Sequence, residues 1–241
     1  MRLAIITARG GSKRIPRKNI REFCGKPIIA YSIQSALQSN CFDEVMVSTD
    51  DAEIAEVAQK WGAKIPFMRS IKTATDFATT SEVLIEVLQE YKRRDYHPEW
   101  ACCLYPTAPF ITSTCLSDSF NMLCKNNQMD ALIPVTRFSY PIQRALRLID
   151  GKISMFQSEH LSTRSQDLEP AYHDAGQFYW FQVEKFLKTQ QILGQHTGAF
   201  ILPEWQVQDI DNEDDWMLAE MKYRMILEKK KRSEKNEKFS L

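Results

Sequence analysis

Five cations, Arg9, Lys13, Arg14, Arg17 and Lys18, surround a Gly10-Gly11-Ser12 turn that directly follows the apolar run Leu3-Ala4-Ile5-Ile6. That arrangement suits polyphosphate. Paired glycines let backbone N–H groups turn inward as an anion nest, since no Cβ blocks a phosphate, and the cations neutralise charge that a nest alone leaves. The carboxyl end of a strand is also where open α/β sheets bind ligands.

Phosphoryl-type chemistry on such a loop calls for Mg2+, which neutralises the polyphosphate and fixes its geometry. Asp209-Ile210-Asp211 is the candidate metal site. In an extended segment, residues two apart point the same way, so both carboxylates reach one cation while Ile210 anchors the opposite face. The same spacing fits a helix cap at Asp211 or Asn212, with Glu213, Asp214 and Asp215 serving the helix dipole. Spacing leaves both readings open. Arg164, near His160 and His173, is either a solvated loop arginine or a planar fork able to grip a carboxylate.

Neither GxxxxGK[ST] nor GxGxxG occurs, which argues against a P-loop hydrolase and a nicotinamide enzyme. The chain has 241 residues, enough for one large α/β domain. Its 31 Lys and Arg balance 31 Asp and Glu, so no global field draws it to nucleic acid or an acidic membrane. Without a leader or a stretch of bilayer length, a cytoplasmic protein with no membrane partner is expected. Cys24, Cys41, Cys102, Cys103, Cys115 and Cys124 show neither CxxC nor zinc spacing, and they read as reduced, mostly buried residues.

The elements that must position these residues alternate between strand and helix, which predicts parallel βα units. Strands are expected at Glu44 to Thr49, Lys64 to Phe67, Trp100 to Tyr105, Ala131 to Val135, Gly176 to Phe181 and Ala199 to Leu202. Pro27 suits the first position of a helix carrying Ile29 and Ile33. Asp50 and Asp51 read as caps for a helix closing at Gly62, and Thr79 with Glu82 as a capping box. Helices are also expected at Ser113 to Lys125, around Val183 to Gln190 and through Trp216. An Asp150-Gly151 turn marks a β-hairpin. Residues 138–172 therefore read as an excursion covering the site or contacting another subunit, and residues 229–241 as a solvated tail of a single domain spanning 1–241. Arg17 and Lys26 read as ordinary surface cations.

Ala8-Arg9-Gly10-Gly11-Ser12-Lys13, continuing through Pro16, Lys18 and Asn19, resembles the signature of acylneuraminate cytidylyltransferases, which make CMP-activated sialic and related nonulosonic acids. The resemblance covers nearly the whole chain. It continues through Val47-Ser48-Thr49-Asp50, Arg69, Asp76, Pro106-Thr107-Ala108-Pro109 and Asp209-Ile210-Asp211 in the family's order and approximate spacing. Arg164 followed by Asp174-Ala175-Gly176-Gln177-Phe178-Tyr179-Trp180 is most similar to the pseudaminic acid branch, where sialic acid enzymes tend to carry Asn-Gly-Ala-Ile-Tyr. Tyr105 and Ile111 also stand where those enzymes usually have glutamine and commonly arginine.

The resemblance implies a three-layer α/β sandwich with a mostly parallel sheet, like the nucleotide-diphospho-sugar transferases, and a small excursion that in relatives helps form a homodimer. It implies attack of an acidic nine-carbon keto sugar, pseudaminic acid first, on CTP. By the same resemblance Ala8, Arg9, Gly10, Gly11, Ser12, Lys13 and Lys18 bind the triphosphate, Asn19 faces the ribose, and Arg69 with Asp76 to Ala78 borders the cytosine. Lys18 or Arg9, both counted as catalytic, counters charge on leaving pyrophosphate, and Asp209 and Asp211 hold Mg2+, with Asp211 also counted among the catalytic residues. Arg164 is assigned to the sugar carboxylate, with Tyr105, Gln177 and Tyr179 in the same pocket. The rival readings are the same reaction on N-acetylneuraminate, legionaminate or another keto sugar acid, a metal-dependent glycosyltransferase, and a nucleotide-binding homologue without turnover.

Overall fold

Apolar residues alternate sides along the first strand, and that alternation decides the layering. Leu3 and Ile5 join one core, Ala4 and Ile6 another, and all four are fully buried. A sheet buried on both faces needs helices on both. The computed structural model, which describes residues 1–238, supplies them.

In chain order the elements are β1 (Arg2–Thr7), β2 (Glu22–Phe23), β3 (Lys26–Pro27), α1 (Ile29–Gln38), β4 (Glu44–Ser48), α2 (Ala52–Lys60), α3 (Thr80–Arg93), β5 (Trp100–Leu104), α4 (Ser113–Lys125) and β6 (Ala131–Arg137). They continue with β7 (Leu146–Ile149), β8 (Lys152–Met155), β9 (Tyr172–Asp174), β10 (Phe178–Gln182), α5 (Val183–Thr189), β11 (Thr197–Ile201) and α6 (Glu213–Lys238). The main sheet runs β11-β6-β10-β5-β1-β4, with β9 also on β6. Pairs β1/β4, β1/β5 and β11/β6 are parallel, whereas β10 is antiparallel to both β5 and β6.

On one face Ala4, Ile6, Cys102 and Leu104 pack with Ile29 and Ile33 of α1, Ile54 of α2 and Leu116 of α4. On the other, Leu3, Ile5, Ala101 and Cys103 pack with Leu84, Val87 and Leu88 of α3 and Phe186 of α5. Each Leu, Ile, Val or Phe among these contributes about 1.5–3 kcal/mol on burial. The three-layer α/β sandwich expected from the sequence is present. Adjacent Cys102 and Cys103 fall in opposite cores, all six cysteines are free, and burial pushes the Cys103 thiol up to about 12.

A third core holds the functional loops together. Ile15, Phe23, Ile28, Phe110, Ile210 and Trp216 cluster between the basic loop, the segment after β5 and α6. Ile210 anchors its segment as the alternating pattern predicts.

Local signals hold at several ends. Thr79 and Glu82 form the capping box of α3. Gly62, at φ 97°, closes α2 with Gly62 N–H to Gln59 O at 2.9 Å and Ala63 N–H to Ala58 O at 3.0 Å. Asp150 and Gly151 take φ of 48° and 73° between β7 and β8. Three expectations need correction. Lys64 to Phe67 makes a single bridge to Met46 instead of a strand, because Pro66 has no N–H to extend the ladder. Pro27 ends the two-residue strand β3, paired with Glu22, and the helix begins two residues later at Ile29. Asp51 alone caps α2, since Asp50 is engaged elsewhere. From residue 229 to Lys238 the chain continues α6; residues 239–241 lie outside the described residues. No helix among the described residues is long and apolar enough to cross a membrane.

Candidate active site

The basic loop leaves β1 at Thr7 and stays beside β4 for one more residue, with Ala8 N–H donating to Ser48 O at 3.0 Å. Two carboxylates at the end of β4 then shape it. Asp50 Oδ1 accepts the Gly10 N–H at 3.0 Å. Asp51 accepts the Ile54 N–H at 3.0 Å to cap α2, and takes the Arg17 guanidinium at 2.5 and 3.0 Å. Arg17 sits at φ 54° and also pairs with Glu53, so it is a structural brace and no ordinary surface cation. Gly10 lies against this brace: a Cβ there would stand 2.7 Å from Asp51 Oδ2 and 2.9 Å from Asp51 Cβ.

This changes the nest expected from the glycines. The Gly10 amide is spent on Asp50, and the Ser12 amide on Gly10 O at 3.0 Å. Ser12 Oγ donates to Ile15 O at 2.6 Å, and Asn19 Nδ2 to Arg9 O at 2.8 Å. The loop is thus folded in part by its own polar groups, and two of the amides of the expected nest are already engaged.

Side chains of the loop line a cavity of about 430 Å3. Arg9, Ser12, Lys13, Arg14, Lys18 and Asn19 come from the loop, facing Arg69, Asp76, Ala78 and Thr80, with Thr7, Pro106 and Thr107 at the strand ends. Every expected nucleotide residue except Ala8, Gly10 and Gly11 lines it. Arg14, one of the five loop cations, and Thr80 line it as well, although the family resemblance assigns neither to the nucleotide. Arg14 was signalled by charge alone; Thr80 carries no local signal, because it reads as part of the α3 cap.

Asp76 reaches across the cavity to Arg9 and, at 2.5 Å, to Lys13. The hydrogen bonds from Lys13 and Arg9 hold its carboxyl below the usual range. Arg69 is buried, donating from Nε to Ser48 Oγ at 3.0 Å and from its terminal nitrogen to Ser48 O at 2.6 Å. Burial pulls its pKa down, and the nearby Asp50 opposes that. Burial likewise pulls Lys18 below the ordinary lysine value, countered first by Asp211.

The Asp209 to Asp211 segment meets the loop directly. Lys18 Nζ donates to Ile210 O at 2.7 Å, and Arg14 pairs with Asp211 Oδ1 at 2.7 Å. The helix cap lies one residue further on: Asn212 Oδ1 accepts the Asp215 N–H at 3.0 Å, and Asp215 Oδ2 accepts the Asp211 and Asn212 amides at 2.9 and 3.0 Å. Neither the Asp209 nor the Asp211 carboxylate is used as that cap. Among the described residues no group of three His, Cys, Asp or Glu gathers as a ready metal cage. A pair of carboxylates is instead the donor set Mg2+ takes when phosphates and waters complete its shell.

Beyond Thr80 lies an aromatic pair. Tyr105 and Tyr179 meet edge to face at 5.4 Å, Tyr105 Oη is 3.4 Å from Thr80 Oγ1, and Tyr179 Oη donates to Asp174 Oδ2 at 2.8 Å. Burial raises the pKa of both phenols. Gln177 is buried, with Nε2 donating to Gln206 O at 2.6 Å. Arg164 stands apart: it is exposed, grips Asp167 at 2.7 and 3.2 Å, and does not line the cavity.

A cationic loop at the carboxyl end of β1, joined through Lys18 and Arg14 to the late Asp209 to Asp211 segment on a mixed α/β sheet, is the kind of site a nucleotidyltransferase uses. Residues 3–233 match the family model described as Cytidylyltransferase, and the chain belongs to that family. It is 45% identical over 227 residues to the pseudaminic acid cytidylyltransferase of Campylobacter jejuni, covering 92% of this chain and 96% of that one. It is 32% identical over 225 residues to the CMP-N,N'-diacetyllegionaminic acid synthase of Legionella pneumophila, covering 90% and 94%. Among solved structures, a CMP:2-keto-3-deoxy-manno-octonic acid synthetase complexed with CTP shares the fold at TM-score 0.67 and 18% identity, over 94% of this chain and 99% of that one.

Proposed function

We propose that this cytidylyltransferase couples CTP to pseudaminic acid, giving the CMP-sugar and pyrophosphate. The anomeric hydroxyl oxygen of the sugar bonds to the α-phosphorus of CTP as the α–β bridging P–O bond breaks, the electron pair leaves with pyrophosphate, and the hydroxyl proton passes to water. The observation that carries this reading is the junction of the basic loop with the Asp209 to Asp211 segment through Lys18 and Arg14. That junction supports the reading by bringing Lys18 and Arg14 of the cationic loop to the Ile210 carbonyl and the Asp211 carboxylate, although neither Asp209 nor Asp211 lines the cavity itself. The chain's own residues then do two things: hold the reacting groups in line, and stabilise charge developing on the leaving group. Arg9, Lys13 and Lys18 line the cavity where the triphosphate would lie.

Asp209 and Asp211 would hold Mg2+, which on binding neutralises phosphate charge and fixes phosphate geometry. Tyr105 meets Thr80 of the nucleotide cavity, packs on Tyr179 and donates its N–H to the Gln177 carbonyl, and these three residues would border the sugar. The 45% identical Campylobacter relative and the Asp174 to Trp180 run favour pseudaminate over the other keto sugar acids. Arg164 would serve the sugar carboxylate only after leaving Asp167. The excursion exposes Leu146, Leu148, Ile149 and Ile153 on β7 and β8, a surface suited to a homodimer. Free cysteines suit a cytoplasmic enzyme.

The experiment is pyrophosphate release from CTP and Mg2+ across pseudaminic, legionaminic and N-acetylneuraminic acids. Pseudaminate is expected to give the highest kcat/KM. A preference for another acid overturns the sugar assignment, and tight CTP binding with no turnover on any of them overturns the enzyme reading.

A further inference from the structure

The segment after β5 borders two cavities. Pro106 and Thr107 line the nucleotide cavity, whereas Phe110 and Ile111 line a second one of about 330 Å3 that shares no lining residue with the first. That volume is within the range of small-molecule sites. Its walls are mostly apolar and come from separate elements: Tyr31 of α1, Phe110 and Ile111 after β5, and Tyr223, Ile226 and Leu227 of α6.

Its charges are all of one sign. Lys26 and Lys229 line it, and among the described residues no Asp or Glu does. Lys26 is no ordinary surface cation. Its ammonium lies 3.9 Å from the centroid of the Tyr31 ring, donates to Gln34 Oε1, and has no carboxylate partner among the described residues. Burial depresses its pKa, as expected for an ammonium drawn from water without a counter-ion. Lys229 lies over the Trp205 ring at 5.6 Å on the same cavity. A ligand that completes this site is flat and apolar over most of its surface, fits beside aromatic rings, and carries one negative charge.

We propose that this cavity is a second ligand site, taking a small aromatic monocarboxylate with its ring against Phe110, Tyr223 and Ile226 and its carboxylate on Lys26 and Lys229.

The test is titration of the full chain, with the nucleotide site saturated by CTP, using indole-3-acetate and its neutral counterpart indole-3-acetamide, followed by calorimetry. The acid is expected to bind about tenfold more tightly than the amide. Lys26→Met should remove that advantage while leaving amide binding unchanged, and Ile226→Trp should fill the cavity and abolish both. Thermal melting checks that Ile226→Trp folds; Lys26→Met alone decides the matter if it does not. Equal affinity of acid and amide, insensitivity to Lys26→Met, or displacement of the acid by raising CTP overturns the site. Because no turnover is measured, the outcome is independent of which sugar the enzyme uses.

Discussion

The ammonium of Lys18 donates to the carbonyl of Ile210 across 2.7 Å, joining residues 192 positions apart. Ile210 is itself buried, so its carbonyl is a fixed post. Lys18→Met keeps an apolar stem of similar length but removes the donor and the charge. Stability should fall by about 1 kcal/mol, the usual worth of one hydrogen bond. Turnover should fall far more, by about 100-fold or greater, because the triphosphate would lose a cation at the junction. Single-turnover rates beside urea melts separate the two effects; loss of rate in proportion to loss of fold would make Lys18 merely structural.

Asp211 and Asn212 are neighbours with separable duties. The cap belongs to Asn212 and Asp215, so Asn212→Ala should cost about 1 kcal/mol of stability while leaving kcat nearly unchanged. Asp211→Asn should do the reverse. Its ion pair with Arg14 is largely exposed and contributes well under 1 kcal/mol, yet most turnover should vanish with the proposed metal ligand. Melting temperature and pyrophosphate release measured on both variants should cross over.

Asp76 pairs with Arg9 and Lys13. A polyphosphate must take those cations from it. Asp76→Asn should therefore bind inorganic pyrophosphate two- to tenfold more tightly by calorimetry. A role for Asp76 at the base alone predicts unchanged pyrophosphate affinity and weaker CTP binding.

Asp51 should leave a mark in acid. The Arg17 hydrogen bond holds its carboxyl down at about 2, from an ordinary value of 3.8. A depressed carboxylate stabilises the fold above the ordinary value and loses that contribution as pH falls through about 2. With Arg17 more than a third exposed, the effect is on the order of 1 kcal/mol. Asp51→Asn keeps a competent helix cap but removes the charge, so its stability should vary less between pH 4 and 2 than that of the parent chain. Identical slopes in acid melts would dissociate Asp51 from the pH response.

The sequence made the layers legible because each signal was local. Alternation in Leu3 to Ile6, the Thr79 to Glu82 box and the Asp150-Gly151 turn each report on their own few residues. What stayed hidden depends on distant partners. The antiparallel setting of β10 cannot be read from Phe178 to Gln182, which is apolar on both faces like a parallel core strand. The tolerance of Pro134 inside β6 is equally remote: β10 pairs with Ala131 and Leu132, and β9 takes over from Val135, so Pro134 lies where the partner changes. At the site, the cation cluster was plain from residue types. That Gly10 packs on Asp51 was not, because any glycine pair beside cations looks like a nest until the carboxylates beneath are placed.

The insertion of β10 between β5 and β6 also orders events during synthesis. β5 and β6 are made first, yet neither has its shared neighbour until residue 182 has emerged, after the β7 and β8 hairpin. Until then both present bare hydrogen-bonding edges, the kind that invite pairing with other chains. A ribosome-bound fragment ending before Phe178 should therefore depend on chaperones to stay monomeric, and the translation of β10 should lessen that dependence, leaving the other edge of β6 for β11 to cover.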